Sequence, residues 1–245
     1  MVKQIIIAAG GIGSRMSNSL NPRGCKSLIE YKGIPLIYYL LINAKEAGIK
    51  EFFISINEYN INIMKKIVDD IKISHIILPP SPNGFEGAPN LFKKYLDDRV
   101  LIACGHHFIP TKHFNSLIEY SKDFTAVYSA YLDPPQTISD QPRRTLIHNL
   151  EDPNRLRFEK VDLNTDKVSS PFYYTRNPYI VTKEMIDNVE KNGFKKTVGF
   201  FIYKHWEEGG KVIAVKSIMP PEFDYDHEFI RTKDYMDKYF LNPNN

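Results

Sequence analysis

Cysteine is scarce in this sequence: Cys25 and Cys104 are the only two, and they stand far apart. Two lone thiols exclude a disulfide framework and read as reduced residues. Long apolar runs are missing as well. No stretch reaches the roughly 18 consecutive apolar residues that a membrane span requires. The opening Met1-Val2-Lys3-Gln4-Ile5-Ile6-Ile7 is too short an apolar run for a signal peptide. These absences predict a cytoplasmic protein without a membrane partner. Charge of one sign is also in short supply. The 32 Lys and Arg against 29 Asp and Glu leave a net charge of +3. No block of basic residues marks a nucleic-acid-binding face, so no nucleic-acid partner is expected. Internal repeats, low-complexity segments and a clear linker are absent too, and the expectation is one domain over 1–245.

What is present is ordinary in amount and informative in order. With 245 residues, 42% of them hydrophobic, the chain can bury roughly 70% of its unfolded surface and needs no metal or disulfide to fold. In the first half, short β-branched runs alternate with amphipathic stretches, the pattern of βαβ units and a largely parallel sheet. Strands are predicted at 5–9, 51–56, 75–78 and 100–104, and helices at 36–47, 60–71 and 89–96. Gly48 is placed to close the first helix. Beyond that point the rhythm changes. Strands are expected at 126–131, 145–149, 156–161 and 211–215, helices at 183–191 and 197–208, and a final helix at 232–240.

The strongest local signal follows the first strand: Ala8-Ala9-Gly10-Gly11-Ile12-Gly13-Ser14-Arg15-Met16. Glycines let the chain turn with positive φ and bring backbone N–H groups close to an anion. The Arg15 guanidinium has the fork geometry that suits phosphate oxygens. Lys26 returns a second cation toward the same strand ends, where ligands of open α/β sheets collect. The segment is neither a P-loop, because no Gly-Lys-Ser/Thr triplet opens a helix, nor a dinucleotide fingerprint, because no acidic residue ends the second strand.

These residues resemble the nucleotidyltransferase family that makes nucleotide sugars from a sugar 1-phosphate and an NTP. The segment from Ala8 to Met16, Lys26 and the run Gly33-Ile34-Pro35-Leu36-Ile37 carry the likeness. The resemblance implies a Rossmann-like three-layer α/β sandwich with a mixed, mainly parallel central sheet, the nucleotide-diphospho-sugar transferase or GT-A-like fold. It implies a nucleotide-binding half at 1–110 and an acceptor-binding half at 111–245. Ala8, Ala9, Gly10, Gly11, Gly13, Ser14 and Gly105 would hold the nucleotide, Arg15 the triphosphate, and Lys26 the transferred phosphate. A second likeness runs from Pro80 to Ala88. It is similar to the base-reading loop of the thymidylyltransferase and uridylyltransferase branch, with Pro82 and Gly84 facing the base. Pro79 stands where that branch has glutamine, so a pyrimidine NTP is favoured while the base stays open. A third, Phe158-Glu159-Lys160, is similar to a segment whose glutamate binds the acceptor and whose lysine, here Lys160, holds the acceptor phosphate. A strand with alternating exposed charges explains the same residues.

The family's metal positions are altered. Its fourth strand ends in Gly-Asp, whereas this chain reads Cys104-Gly105-His106-His107. Mg²⁺ is the expected ion, yet imidazole is a poor ligand for it. Neighbouring histidines on an extended segment would also face opposite ways. Asp226, or Asp224, could supply the second oxygen, although the same acidic stretch could simply cap the last helix. The leading expectation is therefore an enzyme passing an NMP from an NTP to a phosphorylated small-molecule acceptor, most simply a sugar 1-phosphate for envelope or polysaccharide synthesis. Alternatives are a CTP-dependent cytidylyltransferase acting on phosphocholine or an amino-acid phosphate, and a non-catalytic nucleotide-binding subunit. A glycosyltransferase using Asp224-Tyr225-Asp226 is a further one. The 13% aromatic content leaves room for a homo-oligomer.

Overall fold

The computed structural model describes residues 2–133, 144–148, 155–161, 172–217, 223 and 225–241. The chain begins with strand β1 (Gln4–Ala8). A two-stranded hairpin follows, β2 (Glu30–Tyr31) with β3 (Ile34–Pro35), and leads into helix α1 (Leu36–Glu46). Then come β4 (Glu51–Ser55), α2 (Ile61–Ile71), β5 (Ser74–Leu78), α3 (Gly84–Leu91), β6 (Arg99–Cys104) and α4 (Thr111–Tyr120). The second half contributes β7 (Ala126–Asp133), β8 (Arg144–His148), β9 (Arg155–Val161), β10 (Phe172–Thr182), α5 (Lys183–Lys191), α6 (Val198–Glu207), β11 (Val212–Ser217) and α7 (Asp226–Leu241).

Nine of these strands form one mixed sheet in the order β5-β4-β1-β6-β10-β7-β11-β9-β8. β1 pairs parallel with β4 and β6, and β4 pairs parallel with β5. β10 runs antiparallel to both β6 and β7, whereas β11 is parallel to β7. The sheet is thus mixed and mainly parallel, as expected.

Strand β1 shows why the sheet is covered on both faces. Ile5 and Ile7 belong to one apolar cluster, which holds Leu40, Leu41, Met64, Val68 and Phe114 from α1, α2 and α4. Ile6, pointing the other way, joins Met185, Ile186, Val198 and Ile202 from α5 and α6. All three isoleucines are fully buried. Each such burial contributes about 1.5–3 kcal/mol relative to an exposed side chain. A continuous β-branched run, rather than an alternating one, is the signature of a strand with helices on both sides. In α2, Met64, Val68 and Ile71 recur at helical spacing and are buried, while Lys65, Lys66, Asp69 and Asp70 are exposed. A third cluster, with Met16, Tyr31, Leu36 and Phe108, is closed by Phe223, Phe229 and Met236 at the C-terminal end of the chain.

Several elements depart from the sequence expectation, which had no helix at α4 and no β2-β3 hairpin. Helix α3 starts at Gly84 and carries Pro89 inside it, five residues before the predicted first turn. Proline most often opens a helix, which misdirects a reading from sequence. The final helix begins at Asp226 rather than at Thr232. β10 spans 11 residues across Asn177-Pro178; a register shift between Arg176 and Tyr179 lets the strand accommodate the proline.

Candidate active site

The site lies at the carboxyl ends of β1, β4 and β6. The N–H of Ala9 donates to the Ser55 carbonyl at 2.8 Å, and that of Gly105 to the Ala8 carbonyl at 2.9 Å. These bonds align the three strand ends, so the loop leaving β1 starts from a fixed place. Ala8 and Gly10 are half-buried, Ala9 is buried, and Gly11 and Ser14 are exposed. Gly10 packs on Pro80, where an added Cβ would lie 2.7 Å from the proline Cβ. The glycine loop therefore touches the start of the segment that carries Pro82 and Gly84. Gly13 adopts φ +63°, and an added Cβ would lie 2.8 Å from Lys26 Cγ and 2.7 Å from Asn21 Nδ2. Glycine is required there both for its backbone conformation and to let the lysine stem pass.

Asn21 holds the loop in shape. Its amide nitrogen donates to the Ile12 carbonyl at 2.9 Å, and its amide oxygen accepts the Cys25 N–H at 2.8 Å. Lys26 is buried; its backbone N–H donates to the Gly11 carbonyl at 3.3 Å. Its ammonium donates to the Phe223 carbonyl at 2.9 Å and lies 5.9 Å from the Phe223 ring centroid. Arg15 is exposed, with its guanidinium 5.4 Å from the centroid of Tyr225. Arg15 and Lys26 thus converge on one C-terminal stretch beside the glycine loop. Asp226, the first residue of α7, accepts the Ser17 N–H at 3.0 Å, and hydrogen bonding from Ser17 holds its carboxyl below the usual range.

His106 and His107 are both buried. Their rings meet edge to face with centroids 5.0 Å apart, which corrects the expectation that they face opposite ways. The cause is a turn at the strand end, where the His107 N–H donates to the Cys104 carbonyl at 3.2 Å. His106 also packs on Phe223, centroid to centroid 5.3 Å. Asn177 of β10 fixes this corner, since its amide oxygen accepts the Cys104 N–H at 3.0 Å.

The donor chemistry does not fit an Mg²⁺ site of the expected kind. Mg²⁺ selects hard oxygen donors in octahedral array. His106 offers an imidazole enclosed by aromatic rings, and Asp226 is engaged with Ser17. Among the described residues no group of three or more His, Cys, Asp or Glu could hold a metal ion. Asp224 lies outside the described residues. Glu159 and Lys160 sit on β9, opposite Leu146 and Thr145 of β8; their side chains lie outside the described residues. Pro82 and Gly84 are exposed at the turn into α3. A cavity of about 320 Å³ opens between α5 and α6, lined in part by Thr182, Asn188 and His205. Thr182 pairs with Arg99, at the opposite end of β6 from Gly105, so that cavity belongs to the far end of the sheet. Among the described residues no helix is long and apolar enough to cross a membrane.

The structure brings Arg15, Lys26 and the glycines named from the sequence together, and adds Asn21, Asn177 and Phe223 beside them. Asn21 precedes a proline, a turn context that marks it. Phe223 acts through a backbone carbonyl, which has no sequence signature.

Comparison with known proteins adds a family and a fold. The model of the nucleotidyl transferase family matches residues 4–137, more than half of the chain. No curated protein matches by sequence. Among solved structures, the inositol-1-phosphate CTP transferase from T. maritima superposes with a TM-score of 0.68 at 16% identity, over 95% of this chain and 96% of that one. UDP-glucose pyrophosphorylase complexed with UDP-glucose gives 0.71 at 13% identity, covering 97% and 99%. CMP:2-keto-3-deoxy-manno-octonic acid synthetase complexed with CTP gives 0.69 at 12%, covering 96% and 99%. At these identities the likeness shows the fold.

Proposed function

The chain belongs to the nucleotidyl transferase family, and on that premise we propose that it transfers a nucleoside monophosphate from an NTP to a phosphorylated small molecule. An oxygen of the acceptor phosphate attacks the α-phosphorus. The bond from that phosphorus to the bridging oxygen breaks, and pyrophosphate leaves. The acceptor oxygen is already ionised near neutral pH, so the reaction needs alignment and charge stabilisation rather than a general base.

The observation that carries this reading is the convergence of Arg15 and Lys26 at one side of the glycine loop. The loop amides and the two cations would hold the triphosphate, with Lys26 closest to the transferred group because its stem runs beneath Gly13. Ala8, Ala9, Gly10, Gly11, Ser14 and Gly105 frame the strand ends, and Pro82 and Gly84 face the base. Glu159 and Lys160 are assigned to the acceptor and its phosphate. The half at 1–110 takes the nucleotide and the half at 111–245 the acceptor. A pyrimidine NTP is favoured, supported by neighbours described with CTP or UDP-glucose. The preferred acceptor is a sugar 1-phosphate, in a cytoplasmic supply route for surface polysaccharide.

Pyrophosphate release tests this, measured with each of the four NTPs against sugar 1-phosphates and phosphocholine. Release with one NTP and one acceptor class is the expected result. A second reading, a non-catalytic nucleotide-binding relative, is favoured by the aromatic packing of His106 where a carboxylate was expected. Tight NTP binding with no release for any acceptor would select it.

A further inference from the structure

The turn assigned to the base is exposed, and its own hydrogen bonds fix its shape but not its place. The Ser81 hydroxyl accepts the Asn83 N–H at 3.1 Å, and the Gly84 N–H donates to the Ser81 carbonyl at 3.0 Å. What places the turn is the first turn of α3 that follows it. Phe85 meets the Tyr179 ring edge to face, with centroids 6.5 Å apart. The next residue, Glu86, accepts the N–H of Val198 through Oε2 at 2.8 Å, and Val198 is the first residue of α6.

The same end of α6 is held by a second side chain. The Tyr128 hydroxyl donates to the Gly199 carbonyl at 2.9 Å, and Tyr128 packs edge to face on Tyr179 at 5.6 Å. Glu86, Val198, Gly199, Tyr128, Tyr179 and Phe85 therefore close a ring of contacts through α3, α6, β7 and β10. Within that ring Glu86 supplies a polar tie from α3 to α6.

The Glu86 carboxyl is a second acceptor at this end of α6. Thr197 already caps α6, its hydroxyl accepting the Phe200 N–H at 3.0 Å. Burial pushes the Glu86 carboxyl above its ordinary range, offset in part by the Val198 N–H. Removing a carboxyl from water carries a penalty that a neutral acceptor would largely avoid. The N-terminus of a helix is the place that best tolerates a negative group.

We propose that Glu86 is a positioning residue for the nucleobase: by tying α3 to the N-terminus of α6, it holds the turn at Pro82 and Gly84 at the depth a base needs. This rests on the nucleotide reading above. Glu86 touches neither phosphate nor acceptor in this role, so its loss separates base binding from phosphate binding.

Isothermal titration of the full chain with the four NTPs and with inorganic tripolyphosphate tests the proposal. Glu86→Ala should weaken the preferred NTP by about fivefold or more while leaving tripolyphosphate within about twofold. Glu86→Gln keeps an oxygen that can accept the Val198 N–H and should stay near the wild type for both ligands. Tyr128→Phe, which removes the bond to the Gly199 carbonyl, should repeat the selective loss, and it serves if the alanine variant does not fold. Parallel loss of both ligands, no loss of either, or a glutamine variant that behaves as alanine would overturn the proposal. A wild-type chain that binds neither NTP nor tripolyphosphate would instead overturn the nucleotide reading itself.

Discussion

At the scale of single residues, Lys26 carries the most weight. Its ammonium is buried against Phe223 beneath the glycine loop, so a substitution removes a cation from a place that solvent cannot refill. Lys26→Met, which keeps the apolar stem, should cost about 2–4 kcal/mol of transition-state stabilisation, or a comparable share of NTP affinity. Comparing kcat/KM for wild type and variant checks this, and unchanged values remove Lys26 from the mechanism. His106 gives the complementary test. Its ring sits between His107 and Phe223, and His106→Asp places a hard oxygen at the end of β6. NTP titrations with and without Mg²⁺ should show a stronger metal dependence in the variant than in the wild type. The smaller side chain leaves a void, so the variant should also melt earlier. Arg15, Lys26 and the glycines could be singled out in advance because the chemistry proposed for them lies in their side chains, or the lack of them. Phe223 was not, since any residue offers the carbonyl it uses.

At the scale of elements, α4 contains a proton switch for stability. His113 is buried, and its Nε2 lies 2.8 Å from the Ser129 hydroxyl, which itself donates to the Pro178 carbonyl at 2.7 Å. The hydroxyl proton is thus committed, and His113 must donate through Nε2, which fixes the neutral tautomer. Burial pushes its pKa down to about 4 from the ordinary 6.5. The folded value lies below the unfolded one, so the unfolded chain takes up the proton first as pH falls. Stability is full above pH 6.5 and declines toward pH 4, by up to ~3 kcal/mol in that window. Urea unfolding across the window should show this slope, and His113→Gln should flatten it. Elements with one dominant signal were readable in advance. β1 announced itself by its β-branched run, and α1 ends where Gly48, at φ +93°, allows it to. α4 buries His113, Phe114, Leu117 and Ile118 as a stripe of little more than one turn with a histidine in it, and β10 is interrupted by Asn177-Pro178, so neither was read from sequence.

At the scale of the whole molecule, the C-terminal helix completes the N-terminal site. Phe223, Phe229 and Met236 close the cluster that contains Met16, Tyr31 and Phe108. The Asp226 carboxylate meanwhile receives the Ser17 N–H. Removing the chain from residue 218 onward should expose that cluster and release Lys26 from its carbonyl partner. Such a truncated protein is expected to bind an apolar dye and to lose NTP affinity, measured by fluorescence and calorimetry. Retained affinity would mean that the glycine loop holds its shape unaided. Only the family resemblance brought Asp226 to this end of the molecule in advance, because local patterns carry no information on which chain ends meet.

The reversed strand at the centre of the sheet bears on how the protein is made. β10 lies between β6 and β7, yet both of those neighbours precede it along the chain. As the polypeptide leaves the ribosome, β6 and β7 emerge first and must wait with bare edges until the eleven-residue β10 slots between them. Pairing across such long sequence separations is slow, and waiting edges invite association with other chains. Refolding from denaturant should accordingly lose yield as protein concentration rises, with the losses concentrated in the interval before that middle plank is seated.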